Sequence, residues 1–422
     1  MTETLPDFFS DRTIIDDPRS YFDRLRSRCP VAKEPYHGTL MVTGFDAVTE
    51  VLNRRDDTFS SVVSVIGPIP PLPFEPQGDD ISGQIEAHRS ALPWSAHLVS
   101  FDGAHHAEYR ALVVSLLNFR RIKQNEEYLY RLVDRLIDRF IGRGYCNVVP
   151  DFAHATTTYA ICDLLGIPEA HRAELLELIG APPSQLAGDA PHKVGPDPLV
   201  FLKPRFDEYL RARRENPGTD LMSELANARR ADGSLHDFDM VSNLARFVFG
   251  AGQDTTSRLI AMATRILGEK PDLQHRLRQE PGRIADLLEE VLRYDPPVKV
   301  VYRLARRSTK IGGVDVPAGT IVTVCLTAAN NDSARFERSD EFNIDRPRLR
   351  DHMAFSRGPH ACVGAPLGRL EARVAIERLL ARTGEIRISE KHHGPPNARV
   401  YRYEPTYTFR NLSDLHIEFT VP

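Results

Sequence analysis

A mainly helical fold with a smaller β-rich part is predicted by three observations. Between Asp237 and Gly268 the residues Leu244, Phe247, Val248, Ala251, Thr255, Leu259 and Met262 recur at three- and four-residue spacing, which makes one stripe on a single helix. At the rise of an α-helix such a segment runs on the order of 45 Å, long enough to cross a whole domain. Helix-period patterns also fill Ala104 to Gly166 and about Ala365 to Arg382. Strand signals, by contrast, are short, separated by Gly and Pro turns, and gathered in the first fifth of the chain, in Val300 to Leu326 and in the tail.

Taken in order, the first fifth mixes the strand signals Val31–Tyr36 and Thr39–Val42 with short helices. From Val62 to Ser100 the chain is irregular, with Pro68, Pro70, Pro71, Pro73 and Pro76 crowding an apolar run. Irregular segments of this length are functional or disordered, and the apolar content favours a functional covering loop. A second irregular stretch, Gly180 to Pro198, is either a connector or a lid. After the long helix, further helices are expected at Pro271–Glu280 and Arg283–Asp295, the latter stopped by Pro296 and Pro297. A turn-rich stretch then leads to Phe355, and a β-rich tail follows the helix that ends near Arg382.

The chain has 422 residues and no stretch that reads as a linker, so one large domain, 1–422, is expected. Lys plus Arg number 54 and Asp plus Glu 58, a net charge of −4, which gives no reason to expect nucleic acid as a global partner. The N-terminal residues are acidic and broken by Pro6, unlike a signal peptide, and no run approaches the ~18 apolar residues of a membrane span. A cytoplasmic protein without membrane attachment is the expectation. Five scattered cysteines form neither a disulfide framework nor a zinc cluster. Cys162 and Cys325 lie in apolar segments and are expected in the core.

Cys362 sits differently. It belongs to Phe355-Ser-Arg-Gly358-Pro-His360-Ala-Cys362-Val-Gly364, directly before a helix. The flanking glycines allow the backbone to approach a flat ligand closely. The free amides and dipole of the helix start are expected to lower the thiol's pKa and hold it as a thiolate. A thiolate is the axial ligand that pushes electron density onto haem iron. A lone cysteine would read as a buried free thiol; five fixed positions in ten residues reverse that reading. With Phe355, Gly358, His360, Cys362 and Gly364 in place, the chain resembles a cytochrome P450 of the soluble bacterial type. The resemblance covers nearly the whole chain, because further motifs fall in the family's order. It implies the cytochrome P450 fold, haem b as cofactor and Cys362 as the proximal iron ligand.

The second motif is Ala251-Gly252-Gln253-Asp254-Thr255-Thr256 in the long helix. Gly250 and Gly252 cost roughly 1 kcal/mol each against alanine in mid-helix, which suggests a reason for small residues there. The resemblance places the dioxygen groove at Ala251 and Gly252, with Asp254 and Thr255 as the acid–alcohol pair that delivers protons. Glu290 and Arg293 stand at i, i+3 and can pair on one helix face. The resemblance makes them a buried structural pair joined by Arg346. It also gathers His106, Arg110, Arg303 and His360 at the haem propionates, as a set of cations suited to carboxylates. One departure from the family pattern is Gly103-Ala104, where two prolines are usual.

By position, Phe247, Gly250 and Ala251, then Val300 and Val301, then Thr408 and Phe409 at a hairpin tip, are the expected substrate pocket. None is charged, so an apolar pocket and a small apolar substrate are expected. The implied reaction inserts one oxygen atom of O2 into a C–H bond or a double bond. The chain carries no flavin or nicotinamide fingerprint and no iron–sulfur cysteine cluster, so a ferredoxin and its reductase are the implied electron donors. They are expected to dock on the cysteine side, near Arg357, Arg110 and Arg120. Two rivals are a peroxide-driven enzyme of the same fold, which would not need Asp254 and Thr255, and a haem-based sensor without turnover.

Overall fold

The computed structural model describes residues 5–180 and 197–421. Its axis is the helix Phe238–Glu269, one residue displaced from the expected span. Asp237 caps it, accepting from the Met240 amide at 3.0 Å. The apolar stripe divides into two functions along its length. Leu259, Met262 and Ile266 are buried with Leu287 and Val291 of the helix Ile284–Tyr294 and with Ala372, Ile376 and Leu379 of the helix Ala365–Arg382. Burial of each of these leucines and isoleucines contributes about 1.5–3 kcal/mol. Toward the N-terminus, Phe247, Val248 and Thr255 are only half-buried and Ala251 is exposed, so this half of the stripe borders open space inside the molecule.

The helix Ala365–Arg382 has the expected bounds. The region 104–166 is three helices rather than one continuous pattern: Gly103–Leu116, Phe119–Asp138 and His154–Leu165. Asn118 restarts the second by accepting from the Arg121 amide at 3.0 Å. The first begins at Gly103 although the prolines are missing.

The β part centres on a five-stranded sheet. Strands β1 (Val31–Lys33) and β2 (Leu40–Val42) pair antiparallel near the expected positions. Strand β3 is Phe59–Ser60, and β4, Tyr145–Asn147, interrupts the helical region unannounced by the sequence pattern. Val300–Leu326 supplies β5 (Val300–Ala305), the hairpin β6 (Thr309–Ile311) and β7 (Val314–Val316), and β8 (Ile321–Cys325). The sheet order is β1-β2-β8-β5-β3, with only β2 and β8 parallel. The tail is less β-rich than expected. Strands β9 (Ile386–Ile388) and β10 (His416–Phe419) join β4, but residues 394–415 are irregular apart from isolated bridges. Prolines and polar turns there leave no room for a long ladder.

The covering segment 62–100 contains one short helix, Ser82–His88, and is otherwise turns and single-turn helices. Of the second irregular stretch, residues 181–196 lie outside the described residues. Cys162 and Cys325 are fully buried, as expected. Among the described residues no helix is long and apolar enough to cross a membrane.

Candidate haem site

The cysteine loop is a tight reversal. The Cys362 amide donates to the Phe355 carbonyl at 2.8 Å and the Ala361 amide to Gly358 at 3.1 Å. Gly358 has φ +67°, and a Cβ there would lie 2.1 Å from the Leu52 carbonyl oxygen. Its freedom is therefore needed to seat the loop on the end of the helix Phe45–Asn53, not to approach a flat ligand. Gly364 makes no such close approach; its nearest neighbour is Cys362 Sγ at 3.8 Å. Phe355 lies under the Arg369 guanidinium at 4.4 Å, and Arg369 is held by Glu289 at 2.6 Å.

Cys362 lies deep among protein atoms and yet keeps accessible surface, so its thiol faces an internal cleft. The expected lowering of its pKa does not occur. Burial pushes the thiol above its ordinary value and outweighs the Gly364 and Ala365 amides and the charges of Arg110 and Arg369, all of which favour the thiolate. A metal is what completes such a ligand, because coordination deprotonates a thiol outright.

The four residues expected as cations converge beside the cysteine loop. His106 and His360 stack with ring centroids 3.9 Å apart, and His360 Nε2 lies 2.9 Å from Ser61 Oγ. Arg110 Nη2 donates to the Ala361 carbonyl at 2.6 Å. Arg303, mid-strand in β5, is buried and among the described residues donates only to its neighbour's carbonyl, at 2.7 Å. The surroundings of two of the four disfavour the charged form. Burial, together with the nearby guanidiniums, brings His106 down to about 4 and His360 to about 2. Burial also lowers Arg303, to about 10. Asp102, the one carboxylate near Arg303 among the described residues, is already taken by Ser60, Ser61, Arg89 and Arg306. Two guanidiniums short of a counter-ion, Arg303 buried and Arg110 half-buried, beside two ring N–H donors, fit the two propionates of haem.

On the central helix, Thr255 Oγ1 donates to the Ala251 carbonyl at 3.2 Å. Asp254 does not hang free. Arg258, one turn on and almost fully buried, holds its two oxygens at 2.6–3.0 Å and lies 4.5 Å from the Phe409 ring centroid. Gly252 faces Ile161, whose Cδ1 would be 3.3 Å from an added Cβ, so it serves helix packing rather than the cleft. Gly250 faces Leu199 in ordinary contact. Thr256 touches Gly368, where an added Cβ would be 3.0 Å from Oγ1, and this joins the central helix to the cysteine helix within two turns of Cys362. Beside Thr256 lies Glu371, whose carboxyl burial pushes well above the carboxylate range.

Of the expected pocket residues, Phe247, Val301, Thr408 and Phe409 are partly open, but Val300 is fully buried with Met41, Tyr302 and Cys325. Strand alternation permits only one of Val300 and Val301 to face the cleft. Sequence reading also missed polar groups nearby: the Arg258 guanidinium at Phe409, and the His97 imidazole, stacked on Phe247 at 5.9 Å. The Asp254–Arg258 spacing of four was the available signal. For His97 there was none.

Glu290, Arg293 and Arg346 do come together. Arg293 makes two 2.8 Å bonds to Glu290, with both side chains wholly buried, and Arg346 approaches Glu290 at 3.4 Å. Arg293 also reaches the carbonyls of Asn330, Ser339 and Glu341. Arg293→Ala is expected to destabilise the protein by about 3–5 kcal/mol, by taking from a buried carboxylate its two short bonds and leaving it the Asn343 amide and the longer contact to Arg346. Urea unfolding measures it, and a loss below about 1 kcal/mol contradicts the assignment.

The geometry defines a helical protein built around one cysteine-loop cofactor site. Residues 200–384 match the family model described as cytochrome P450. The chain is 30% identical over 399 residues to cytochrome P450 144 of Mycobacterium tuberculosis, covering 92% of this chain and 88% of that one. It is 29% identical to 6-deoxyerythronolide B hydroxylase of Saccharopolyspora erythraea, over 90% of this chain and 91% of the other. Among solved structures it superimposes with a TM-score of 0.92 on Mycobacterium marinum cytochrome P450 CYP150A6 in the substrate-free form, at 44% identity over 99% of each chain. The chain belongs to the cytochrome P450 family. It is a haem-thiolate monooxygenase, an oxidoreductase with haem b as its cofactor.

Proposed function

We propose that this chain oxygenates a small, neutral, largely apolar molecule at a haem held by Cys362, with electrons from a ferredoxin and its reductase. The observation that carries the reading is a single thiol enclosed by protein but open to an interior cleft, flanked by two under-compensated arginines, Arg303 buried and Arg110 half-buried. Bound haem supplies the activation of O2 and the transfer of oxygen. Arg110 and Arg303 supply charge to its propionates, and His106 and His360 supply hydrogen bonds. Asp254 and Thr255 move protons to the site where O2 reacts. The half-open apolar side chains of Phe247, Val301 and Phe409 exclude water and orient the substrate. Five free cysteines support a reducing compartment, the cytosol.

Neutrality of the substrate follows from pairing. Arg258 is committed to Asp254 and Arg246 to Asp197, so among the described residues neither guanidinium beside the pocket is left free to receive a carboxylate. Over a panel of terpenoids, arenes, steroids and fatty acids, neutral members are expected to shift the haem spin state at least about tenfold more tightly than their carboxylate analogues. Tighter binding of the charged forms contradicts the reading. A peroxide-driven enzyme is disfavoured by the acid–alcohol pair.

For the electron donor, Arg120 is exposed, and Arg357, held to the Asp351 carbonyl at 2.6 Å and lying 5.1 Å from the Phe45 ring centroid, is half-exposed on the cysteine loop. Arg110 is turned to Ala361 instead and belongs to the haem side. Reduction by an acidic ferredoxin is expected to slow as salt rises, and to do so more steeply in the wild type than in Arg357→Glu. Identical salt slopes in stopped-flow traces remove Arg357 from the interface.

A further inference from the structure

Resting on the reading of the cleft as a substrate pocket, we propose that Trp94 and His97 form a polar anchor in its roof, so that the substrate is an apolar molecule bearing a hydroxyl or carbonyl oxygen. Both residues lie in the covering segment. Trp94 is 8% exposed, and its indole Nε1 has no hydrogen-bond partner among the described residues. An indole N–H can only donate, and leaving it buried and unpaired is costly. Trp94 also holds φ +65°, a backbone conformation that bulky side chains rarely adopt. The strain and the orphaned donor fall on the same residue.

His97 lies 5.3 Å from Trp94, ring centroid to ring centroid, and stacks on Phe247, one turn before Ala251 on the open face of the central helix. Its Nε2 meets Asp197 at 2.7 Å, and the other oxygen of Asp197 accepts from Arg246 at 2.6 Å. Burial acts to raise Asp197, but these two hydrogen bonds outweigh it and bring its pKa to about 2. An ionised carboxylate only accepts, so Nε2 carries the hydrogen and, in the neutral ring, Nδ1 is an acceptor. Nδ1 too has no partner among the described residues. The roof thus offers one donor and one acceptor, each buried and each unused. A ketone oxygen uses the donor alone. A hydroxyl can accept from Trp94 and donate to His97. A hydrocarbon leaves both unpaired.

The test is a spin-state titration of the haem-loaded protein with decalin, 2-decalone and 2-decalol. The wild type is expected to bind the ketone and the alcohol about tenfold more tightly than the hydrocarbon. Trp94→Phe keeps the ring and removes the donor, so the ketone's advantage should vanish. His97→Phe should remove the alcohol's advantage over the ketone. Equal affinity for all three in the wild type overturns the anchor, as does an unchanged ratio in Trp94→Phe or no response to either oxygenated ring. If a variant takes up no haem, the wild-type ranking alone decides. The carbon monoxide spectrum of the wild type separates the two levels: its loss would remove the haem-thiolate assignment, whereas a flat ranking with that spectrum intact removes only the anchor.

Discussion

Replacing Cys362 by alanine is expected to abolish the strongly red-shifted Soret band that a reduced, carbon-monoxide-bound haem shows under thiolate ligation. The effect should be complete. The other four cysteines are unsuited to substitute: Cys146, Cys162 and Cys325 are buried, with their thiols pushed up to about 12 or above by burial, and Cys29 lies in the first fifth of the chain, with its thiol directed at the Val31 carbonyl. Only Cys362 has the Gly364 and Ala365 amides, Arg110 and Arg369 arranged to favour the anion. These groups do not overcome burial by themselves, so the free thiol is expected to be a poor nucleophile until iron is present. A histidine-type spectrum in the wild type would sink the assignment.

The second large effect concerns protons. Thr255→Ala is expected to keep consuming electrons and O2 while releasing mainly hydrogen peroxide, because the hydroxyl that directs a proton at the reacting site is gone. Asp254→Asn should instead slow the whole cycle, on the order of 10²-fold, since the acid itself is lost. The structure adds a condition to this division. Asp254 is held by Arg258 and must loosen from it to work, whereas Thr255 is bonded only to a carbonyl of its own helix. Product, peroxide and cofactor oxidation measured together for each variant separate the two roles. If Thr255→Ala converts electrons to product as well as the wild type, the pair is only helix surface.

What could be read beforehand was whatever is local. The central helix, the cysteine helix and the strands around Arg303 were legible because their periods repeat over many residues. The Glu290–Arg293 pair was legible because i, i+3 neighbours must meet on a helix. Three-residue strands were not: β4 makes sense only once β10, some 270 residues later, lies beside it. The downward pull on the pKa of His106 and His360 was not legible because burial and two neighbouring guanidiniums leave no trace in a one-dimensional pattern. The His97–Asp197–Arg246 chain escaped for the same reason, since its members stand 100 and 49 residues apart.

Asp102 accepts from Ser60 Oγ at 2.5 Å and from the Ser61 amide at 2.7 Å, so both ends of the covering segment are cinched at a single carboxylate. Topologically the segment is a loop with a closed neck. Doubling the length of such a loop costs only about 0.6 kcal/mol of closure entropy. Val62, Val63, Ile81, Ile85 and Leu92 fix this loop in the core beside Tyr302 and Leu304, so changes of length are expected to be tolerated only in its exposed stretch, 71–78, where they leave Ser61, and through Ser61 His360, in place. The neck in this sense works as a clamp, which insulates the Ser61–His360 contact from whatever happens at the exposed stretch of the loop.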